Sequence, residues 1–435
     1  MFAFMPGPAK NKGNRVCVIG LDGVPFGLIR DLAEKGVLSS LGRIIDSGRL
    51  HKMKASLPEV SAVSWTDFMT GTNSGSHGIF GFTDIKPGSY DLRFPNFLDV
   101  KVPTFWDTLG ERGKTSIIIN QPSTYPARPL KGTLISGFVA VEMAKAVQPR
   151  SHLAALEQMG YQIDIDTIKA RDNNAVLWDE LIKTLMGRQK ALNYFWEEPW
   201  DYFEMVITGT DRLHHFLWKA VVDPDHPHHH NVLEYYRQID RLINKIYASF
   251  RKTAGDEENI FFLSDHGFTA IVQEVYLNAW LEKEKFLRYS NPAPQGLGDL
   301  HGRTVAFALD PNRIYLHYKD RYPRGTVARN EAKDIKEAIV RKLEKLTFEG
   351  KKVVRRVFQA KEVYSGPLTS KGPDLIVLGE PGFDMKGSIR KKEIFGRTPG
   401  LQGMHTWDDA FFLSKRDFGE NLAISKISEI ILDRF

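Results

Sequence analysis

Short apolar runs that alternate with amphipathic helical segments are the feature that most constrains the fold of this chain. The runs are rich in Val, Ile and Phe and end in turn or polar residues, as buried β-strands do. They are RVCVIGLDG at 15–23, SIIIN at 116–120, TLISGF at 133–138, FEMVITG at 203–209, NIFFLS at 259–264 and DLIVLG at 374–379. Because strands that alternate with helices build parallel sheets covered on both faces, the pattern predicts an α/β fold with a largely parallel central sheet flanked by helices.

The clearest helical pattern covers residues 231–250. Its apolar side chains recur at helical spacing and predict a stripe that packs into the core. They are Val232, Tyr236, Ile239, Ile243, Ile246, Tyr247 and Phe250.

The character of the sequence changes between about residues 272 and 370. This part holds a Pro/Gly-rich stretch at 290–302, a helical segment at 331–346 and a basic, strand-like run at 351–358. We therefore predict a smaller α+β subdomain inserted at 272–370 into a core made of 15–271 and 371–435. A flexible leader is predicted at 1–14.

Composition excludes several classes of protein. The net charge of +6 comes from Lys and Arg that are scattered along the 435 residues, which argues against nucleic-acid binding. The single cysteine, Cys17, lies inside an apolar run and rules out an internal disulfide framework. The chain has neither a signal-like apolar segment nor a stretch near the ~20 apolar residues that span a bilayer. We expect a cytoplasmic protein without a membrane partner.

Residues that can bind metal follow two of the predicted strands. Asp22 comes after the first strand, and Asp265 and His266 come side by side after NIFFLS. Ligands of open α/β sheets bind beyond the carboxyl ends of the strands, which is where these side chains fall. A lone acid at such a position is also a common helix cap, so Asp22 alone leaves both interpretations open.

A third strand runs directly into TDRLHHF, where Asp211 and His215 are four residues apart. If Asp211 opens a helix, both side chains lie on one face and can share one ion. His214 is adjacent, and the spacing favours His215 over it. Near the C-terminus, GMHTW adds His405, which by itself could equally be a surface histidine.

The densest group of histidines lies in DPDHPHHHN, between two predicted helices. A tract of this kind can bind metal adventitiously, but its prolines favour an exposed loop. Its members are His226, His228, His229 and His230.

Ser61 is the candidate nucleophile. It lies in SLPEVSAVSWTDFMTG, where a loop or strand gives way to a helix that carries Trp65, Phe68 and Met69. Serine is a favoured helix cap. Beside a bound cation, however, the helix N-terminus would favour the alkoxide and attract a phosphate. Spacing alone leaves both roles open.

Five motifs in this order resemble the alkaline phosphatase superfamily: GLDG, SLPEVSAVSWTDFMTGTNSGSHGIFGF, TDRLHH, LSDHGF and GMHTW. They are most similar to its type I phosphodiesterase and nucleotide pyrophosphatase branch, and to the predicted phosphohydrolase/phosphomutase group within it. The resemblance runs from about residue 15 to the C-terminus. It implies that the predicted core carries a site for two divalent ions, commonly zinc or manganese. One ion would be held by Asp22, Asp265 and His266, the other by Asp211, His215 and His405, with Ser61 as the nucleophile that bridges both.

The resemblance implies hydrolysis of phosphodiester or pyrophosphate bonds in a small-molecule phosphate ester, through a phosphoseryl intermediate. Nucleotide pyrophosphatases carry asparagine three residues after the nucleophile, where this chain has Ser64, so nucleotide specificity stays open. The SAVSW context lacks the proline and arginine of sulfatases. A phosphomonoesterase, a phosphomutase similar to the cofactor-independent phosphoglycerate mutases, and a non-catalytic binding protein of the same fold remain alternatives.

Further polar residues could contact a substrate. Asn73, His77 and Asn120 lie on segments expected to face the site, although a structural role in turns is as plausible for them. Basic residues of the predicted insertion could bind an anionic part of the substrate. They are Arg303, Arg313, Arg321 and Arg324.

Overall fold

A nine-stranded sheet forms the centre of the protein in a computed structural model that describes residues 14–254 and 256–435. The predicted leader therefore lies, except for residue 14, outside the described residues. From one edge to the other, the strands are Leu422–Ala423, Arg49–Lys54, Ala410–Ser414, Ile260–Leu263, Val16–Leu21, Tyr202–Ile207, Ser116–Gln121, Gly132–Ser136 and Val147–Gln148.

The five strands in the middle of this sheet, from Ile260–Leu263 to Gly132–Ser136, run parallel. Strand Ala410–Ser414 pairs antiparallel with Ile260–Leu263. The sheet is thus largely parallel at its centre, which confirms the predicted fold class.

Side chains of the central strand Val16–Leu21 alternate between two apolar layers. Cys17 and Ile19 pack into one layer, and Val16 and Val18 pack into the other. This period of two arises because successive side chains of a strand point to opposite faces of the sheet. Helices cover both faces, so the whole strand is buried.

The described residues form eleven α-helices of six or more residues. They are Phe26–Glu34, Ser39–Asp46, Ser61–Thr70, Phe105–Glu111, Leu153–Met159, Asn174–Phe195, Gly209–Val222, His229–Thr253, Leu277–Lys283, Ala332–Leu343 and Ile427–Leu432. Four-residue helices lie at Ser74–His77, Met143–Ala146, Thr167–Ala170 and Ala360–Val363.

Helix His229–Thr253 confirms the helix predicted at 231–250 and extends it at both ends. Six of the seven residues of the predicted stripe are buried, and Tyr247 packs against the same core while partly exposed.

A second, antiparallel sheet consists of Ala306–Leu309, Arg313–Leu316, Leu375–Gly379 and Val354–Gln359, in that order. The expectation that DLIVLG belongs to the central sheet is wrong, since its strand Leu375–Gly379 pairs here. An apolar run specifies a buried strand, but it does not specify the partner strand. The second sheet therefore extends beyond residue 370, while the division into a core and an insertion stays a prediction.

Four smaller sheets contain the remaining strands of the described residues. Gly267–Ala270 pairs with Gly403–Thr406, and Gln273–Tyr276 lies between Phe383–Lys386 and Phe395–Gly396. Two hairpins are formed by Asp84–Ile85 with Leu92–Arg93 and by Thr347–Phe348 with Lys351–Lys352. Among the helices of the described ranges, none is long and apolar enough to cross a membrane.

Candidate metal centre

The register of the central strands brings three loops to one edge of the sheet. Leu21 lies opposite Ile207, and Gly20 lies opposite Leu263. Because these strands are parallel, the segments that follow them, which carry Asp22, Asp211 and Asp265, leave the sheet at the same edge.

The first group of candidate ligands consists of Asp22, Asp265 and His266, whose ligand atoms lie within 4.8 Å of one another. His266 Nε2 is 3.2 Å from Asp265 Oδ2 and 3.7 Å from Asp22 Oδ1. Both carboxylates are oriented by donors, because Gly23 N–H donates to Asp265 Oδ1 and Trp65 Nε1–H donates to Asp22 Oδ2. The remaining oxygens, Asp22 Oδ1 and Asp265 Oδ2, face His266.

The second group of candidate ligands lies on a helix and on a pair of β-strands. Helix Gly209–Val222 places Asp211 Oδ1 3.5 Å from His215 Nε2, as the spacing of four residues predicts. The pairing of Gly267–Ala270 with Gly403–Thr406 brings His405 Nε2 to 3.3 Å from Asp211 Oδ1. Ligand atoms of Asp211, His266 and His405 also lie within 4.8 Å of one another, so His266 adjoins both groups.

Backbone carbonyls orient all three imidazoles in the same way. Nδ1 lies 3.0 Å from Gly403 O in His215, 3.1 Å from Gly267 O in His266 and 2.8 Å from Glu59 O in His405. Donation of Nδ1–H to a carbonyl leaves the lone pair on Nε2. The Nε2 atoms of His215 and His405 face each other at 3.0 Å. Two lone pairs at this distance repel each other unless a cation or proton lies near them.

Electrostatics of the carboxylates also favour a cation. Burial, together with the charges of Asp265 and Asp211, raises the pKa of Asp22 well above its ordinary value. Burial raises the pKa of Asp265 to about 6 and lowers the pKa of His215 to about 3. Asp211 Oδ1 and Asp265 Oδ2 are buried without a hydrogen-bond partner among the described residues. Orphaned carboxylate oxygens beside imidazole nitrogens form a donor set that fits zinc or manganese.

Ser61 faces these groups from the start of helix Ser61–Thr70. Its Oγ lies 3.1 Å from His266 Nε2 and 3.5 Å from Asp22 Oδ1. Val60 occupies the N-cap position and provides no side-chain cap, so Ser61 does not cap this helix. The hydroxyl is therefore directed to the candidate ligands, at a helix end whose N–H groups attract anions.

Arg212 is a residue that sequence reasoning missed. Its Nη1 donates to Asp211 Oδ2 at 2.8 Å, while its Nε and Nη2 both bind Asp164. This arrangement leaves Asp211 Oδ1 to face the two histidines. The signal was an arginine beside an acid in TDRLHH, but adjacent residues of a helix usually diverge, so the contact could not be inferred.

Other residues singled out in the sequence have structural partners. His214 contacts Gly23 O and the Tyr236 hydroxyl inside the core. Asn73 caps a short helix. His77 Nε2 contacts Asp67 and Asn120 Nδ2 donates to Val206 O. In the predicted histidine loop, helix His229–Thr253 begins at the third histidine, whose Nδ1 contacts Ala220 O.

The arginines considered for an anionic substrate have other roles. Arg313 is buried and donates to Thr83 O, Arg321 donates to Gly372 O, and Arg324 stacks on Tyr90 at 4.7 Å. Arg303 is exposed. The expectation that these residues bind an anionic part of the substrate is not supported by their contacts, because Arg313 and Arg321 donate to backbone carbonyls and Arg324 stacks on a tyrosine ring.

The fold and the site together define a class of protein. The family model described as type I phosphodiesterase / nucleotide pyrophosphatase matches residues 16–408. The chain belongs to this family, within the alkaline phosphatase superfamily, and is a hydrolase that acts on phosphate esters.

Solved structures share its fold. Phosphonoacetate hydrolase from Sinorhizobium meliloti 1021, in complex with phosphonoacetate, is 16% identical with a TM-score of 0.64, and the match covers 99% of this chain and 97% of that one. Murine ectonucleotide pyrophosphatase / phosphodiesterase 5, an inactive variant in complex with AMP, is 12% identical with a TM-score of 0.55, over 97% and 94% of the two chains. A comparison with curated proteins gave no significant match.

Proposed function

We propose that this enzyme hydrolyses phosphodiester or pyrophosphate bonds of a small-molecule substrate with two divalent cations, zinc or manganese. The observation that carries the proposal is the convergence of three imidazole Nε2 atoms and three buried carboxylates beside one serine hydroxyl. The assignment of ligands is the one that the family resemblance implies. Asp22, Asp265 and His266 would hold one ion, Asp211, His215 and His405 would hold the other, and Ser61 would be a ligand shared by both.

When bound, the cations would stabilise the attacking oxygen and the charge on the phosphoryl group. Ser61 Oγ gives up its proton to solvent and attacks phosphorus; the Oγ–P bond forms while the bond from phosphorus to the leaving ester or anhydride oxygen breaks, and that oxygen is protonated from solvent. Water then attacks the phosphoseryl group and loses a proton, the Oγ–P bond breaks, and Ser61 Oγ takes up a proton to restore the hydroxyl. The N–H groups at the start of helix Ser61–Thr70 hold the phosphoryl oxygens during both steps.

The proposal is tested with matched chromogenic substrates, bis(4-nitrophenyl) phosphate and 4-nitrophenyl phosphate, in the presence of Zn²⁺ or Mn²⁺ and with EDTA as control. We expect EDTA-sensitive activity with the diester favoured. Ser61→Ala should lower turnover at least about a thousandfold while remaining folded, because it removes the nucleophile. The matched control is Ser47→Ala, which changes an exposed serine outside the site.

Three outcomes would contradict parts of this proposal. A monoester reaction faster than the diester reaction would overturn the substrate preference. If Ser61→Ala keeps half of the wild-type activity, the assignment of Ser61 as nucleophile is wrong. Transfer of the phosphoryl group back to the substrate without release of phosphate would indicate the phosphomutase alternative.

A further inference from the structure

A cavity of about 370 Å³ adjoins the candidate metal centre. Its lining includes His215, His405 and the segment Glu59–Val60, which directly precedes Ser61. The lining also includes residues 310–312, between strands Ala306–Leu309 and Arg313–Leu316, and residues 384–386 of strand Phe383–Lys386. A group bonded to a phosphorus beside Ser61 could therefore extend into this cavity, which we call the polar subsite.

Each acid that lines the polar subsite has a hydrogen-bond donor or a lysine as its partner. Lys386 Nζ lies 2.6 Å from Asp384 Oδ2. Asn312 Nδ2 donates to Glu59 Oε2 at 3.0 Å, and Gly387 N–H donates to Asp310 Oδ1 at 2.6 Å. Each of the three acids thus has a partner, and together they outnumber the one lysine. A second phosphate or a carboxylate would be repelled here.

One acceptor in the polar subsite has no hydrogen-bond partner within the described parts of the chain. Asn312 Oδ1 is buried without a hydrogen bond among the described residues, and only 1% of the Asn312 surface is exposed. A buried acceptor in this state requires a donor from a ligand or from water. Phe82, Met385 and Met404 supply an apolar part of the lining. Hydrogen-bond donors and acceptors beside an apolar surface are suited to a ligand that carries hydroxyls on a carbon skeleton.

We propose that the polar subsite binds a neutral, hydroxyl-rich group, a polyol or sugar, esterified to the phosphorus that Ser61 attacks. Its hydroxyls donate to Asn312 Oδ1 and to the carboxylates, and they accept from Lys386. A quaternary ammonium group fits less well, because such groups are bound by several aromatic faces. Phe82 is the one aromatic ring of the lining, apart from histidines, in the described residues. The substrate class rests on the proposed function.

The test compares 4-nitrophenyl diesters whose second alcohol is methanol, glycerol or choline, with Mn²⁺ present. We expect kcat/KM for the glyceryl diester to exceed that for the methyl diester at least about tenfold, because the subsite hydrogen-bonds the hydroxyls. In Lys386→Met and in Asn312→Leu, the ratio of glyceryl to methyl rates should fall towards one. Since the ratio compares two substrates in one preparation, a loss of folded protein does not change it.

The matched control is Lys352→Met, which removes another lysine near an acid, 3.7 Å from Glu380 Oε1 and outside the cavity. It should keep the wild-type ratio. The inference is overturned if the wild-type ratio is near one, if the choline diester is preferred, or if both subsite variants keep the ratio.

An equilibrium measurement separates this inference from the proposed function. Calorimetric titration of the Mn²⁺-loaded Ser61→Ala protein should show glycerol 1-phosphate binding at least about tenfold more tightly than methyl phosphate. If no diester is hydrolysed, the proposed function fails. The ratio of the two affinities would still show whether the polar subsite binds a hydroxyl-rich group. Equal affinity for the two compounds would overturn the inference.

Discussion

At the scale of single residues, the candidate site depends on side chains that hold the ligands as well as on the ligands themselves. Arg212 binds Asp164 through two nitrogens and Asp211 through a third. A guanidinium can bridge two carboxylates because its donors are fixed in one plane, whereas an ammonium is a single point charge. Arg212 thereby determines which oxygen of Asp211 faces His215 and His405.

We predict that Arg212→Lys weakens metal binding about 10- to 100-fold, because lysine cannot hold both carboxylates in place. Calorimetric titration with Mn²⁺ measures the affinity directly, and excess Mn²⁺ should restore part of the activity. Arg329→Lys, which changes an exposed pair with Asp320 at 2.9 Å, is the control. An unchanged affinity in Arg212→Lys would show that Arg212 does not position the ligand.

Glu204 is a buried acid outside the candidate site that makes stability depend on pH. Burial raises its pKa to about 8, and the Tyr202 hydroxyl donates to Oε2 at 2.6 Å. Because the folded-state pKa lies above the unfolded value, stability is complete below the unfolded pKa, near 4.5, and is lost as the pH rises through about 8.

We therefore expect Glu204→Gln to unfold at a higher temperature than the wild type at pH 9, by a margin that shrinks as the pH falls to 5. Thermal unfolding across this pH range measures the margin, and Glu197→Gln, an exposed change, is the control. A margin that does not vary with pH would contradict the account of Glu204.

At the scale of elements, helix Ser61–Thr70 lies close to strand Val16–Leu21 because Gly20 has no side chain. A Cβ at Gly20 would lie 2.6 Å from Trp65 Cη2 and 3.1 Å from Val206 Cγ2. Trp65 in turn donates to Asp22 Oδ2, so this contact connects the packing of the helix to a candidate ligand.

Gly20→Ala should lower the free energy of unfolding by about 1–3 kcal/mol, because the added methyl group overpacks the contact with Trp65. Gly27→Ala is the matched control, because no described residue lies within 4 Å of a Cβ built there. Alanine also favours helix Phe26–Glu34 by up to about 1 kcal/mol. Urea unfolding distinguishes the two variants. A Gly20→Ala protein as stable as the wild type would contradict the close approach.

Elements with a local signature could be predicted from the sequence. The parallel strands and helix His229–Thr253 follow from apolar periodicity, and strand ends identify Asp22, Asp265 and His266 as neighbours. The partner of Leu375–Gly379 could not be predicted, because pairing depends on contacts far along the chain. Asn312 and Lys386 were missed for the same reason, since about 250 residues or more separate them from Glu59.

At the scale of the whole molecule, loops from distant parts of the chain converge on one buried group of charges. Asp22, Asp211 and Asp265 lie at positions that only the register of the central sheet brings together. Three carboxylates this close repel one another without a cation, so the folded protein should be more stable with metal bound. The occupancy of this site by metal is therefore the central claim.

Elemental analysis of the purified protein, with any affinity tag removed, tests that claim most directly when it is combined with activity on the same sample. We predict close to two zinc or manganese ions per chain, and parallel loss of metal, activity and thermal stability after dialysis against a chelator. Fewer ions in Asp211→Asn than in the wild type would agree with the assignment. Protein that contains almost no metal and retains full activity would contradict it.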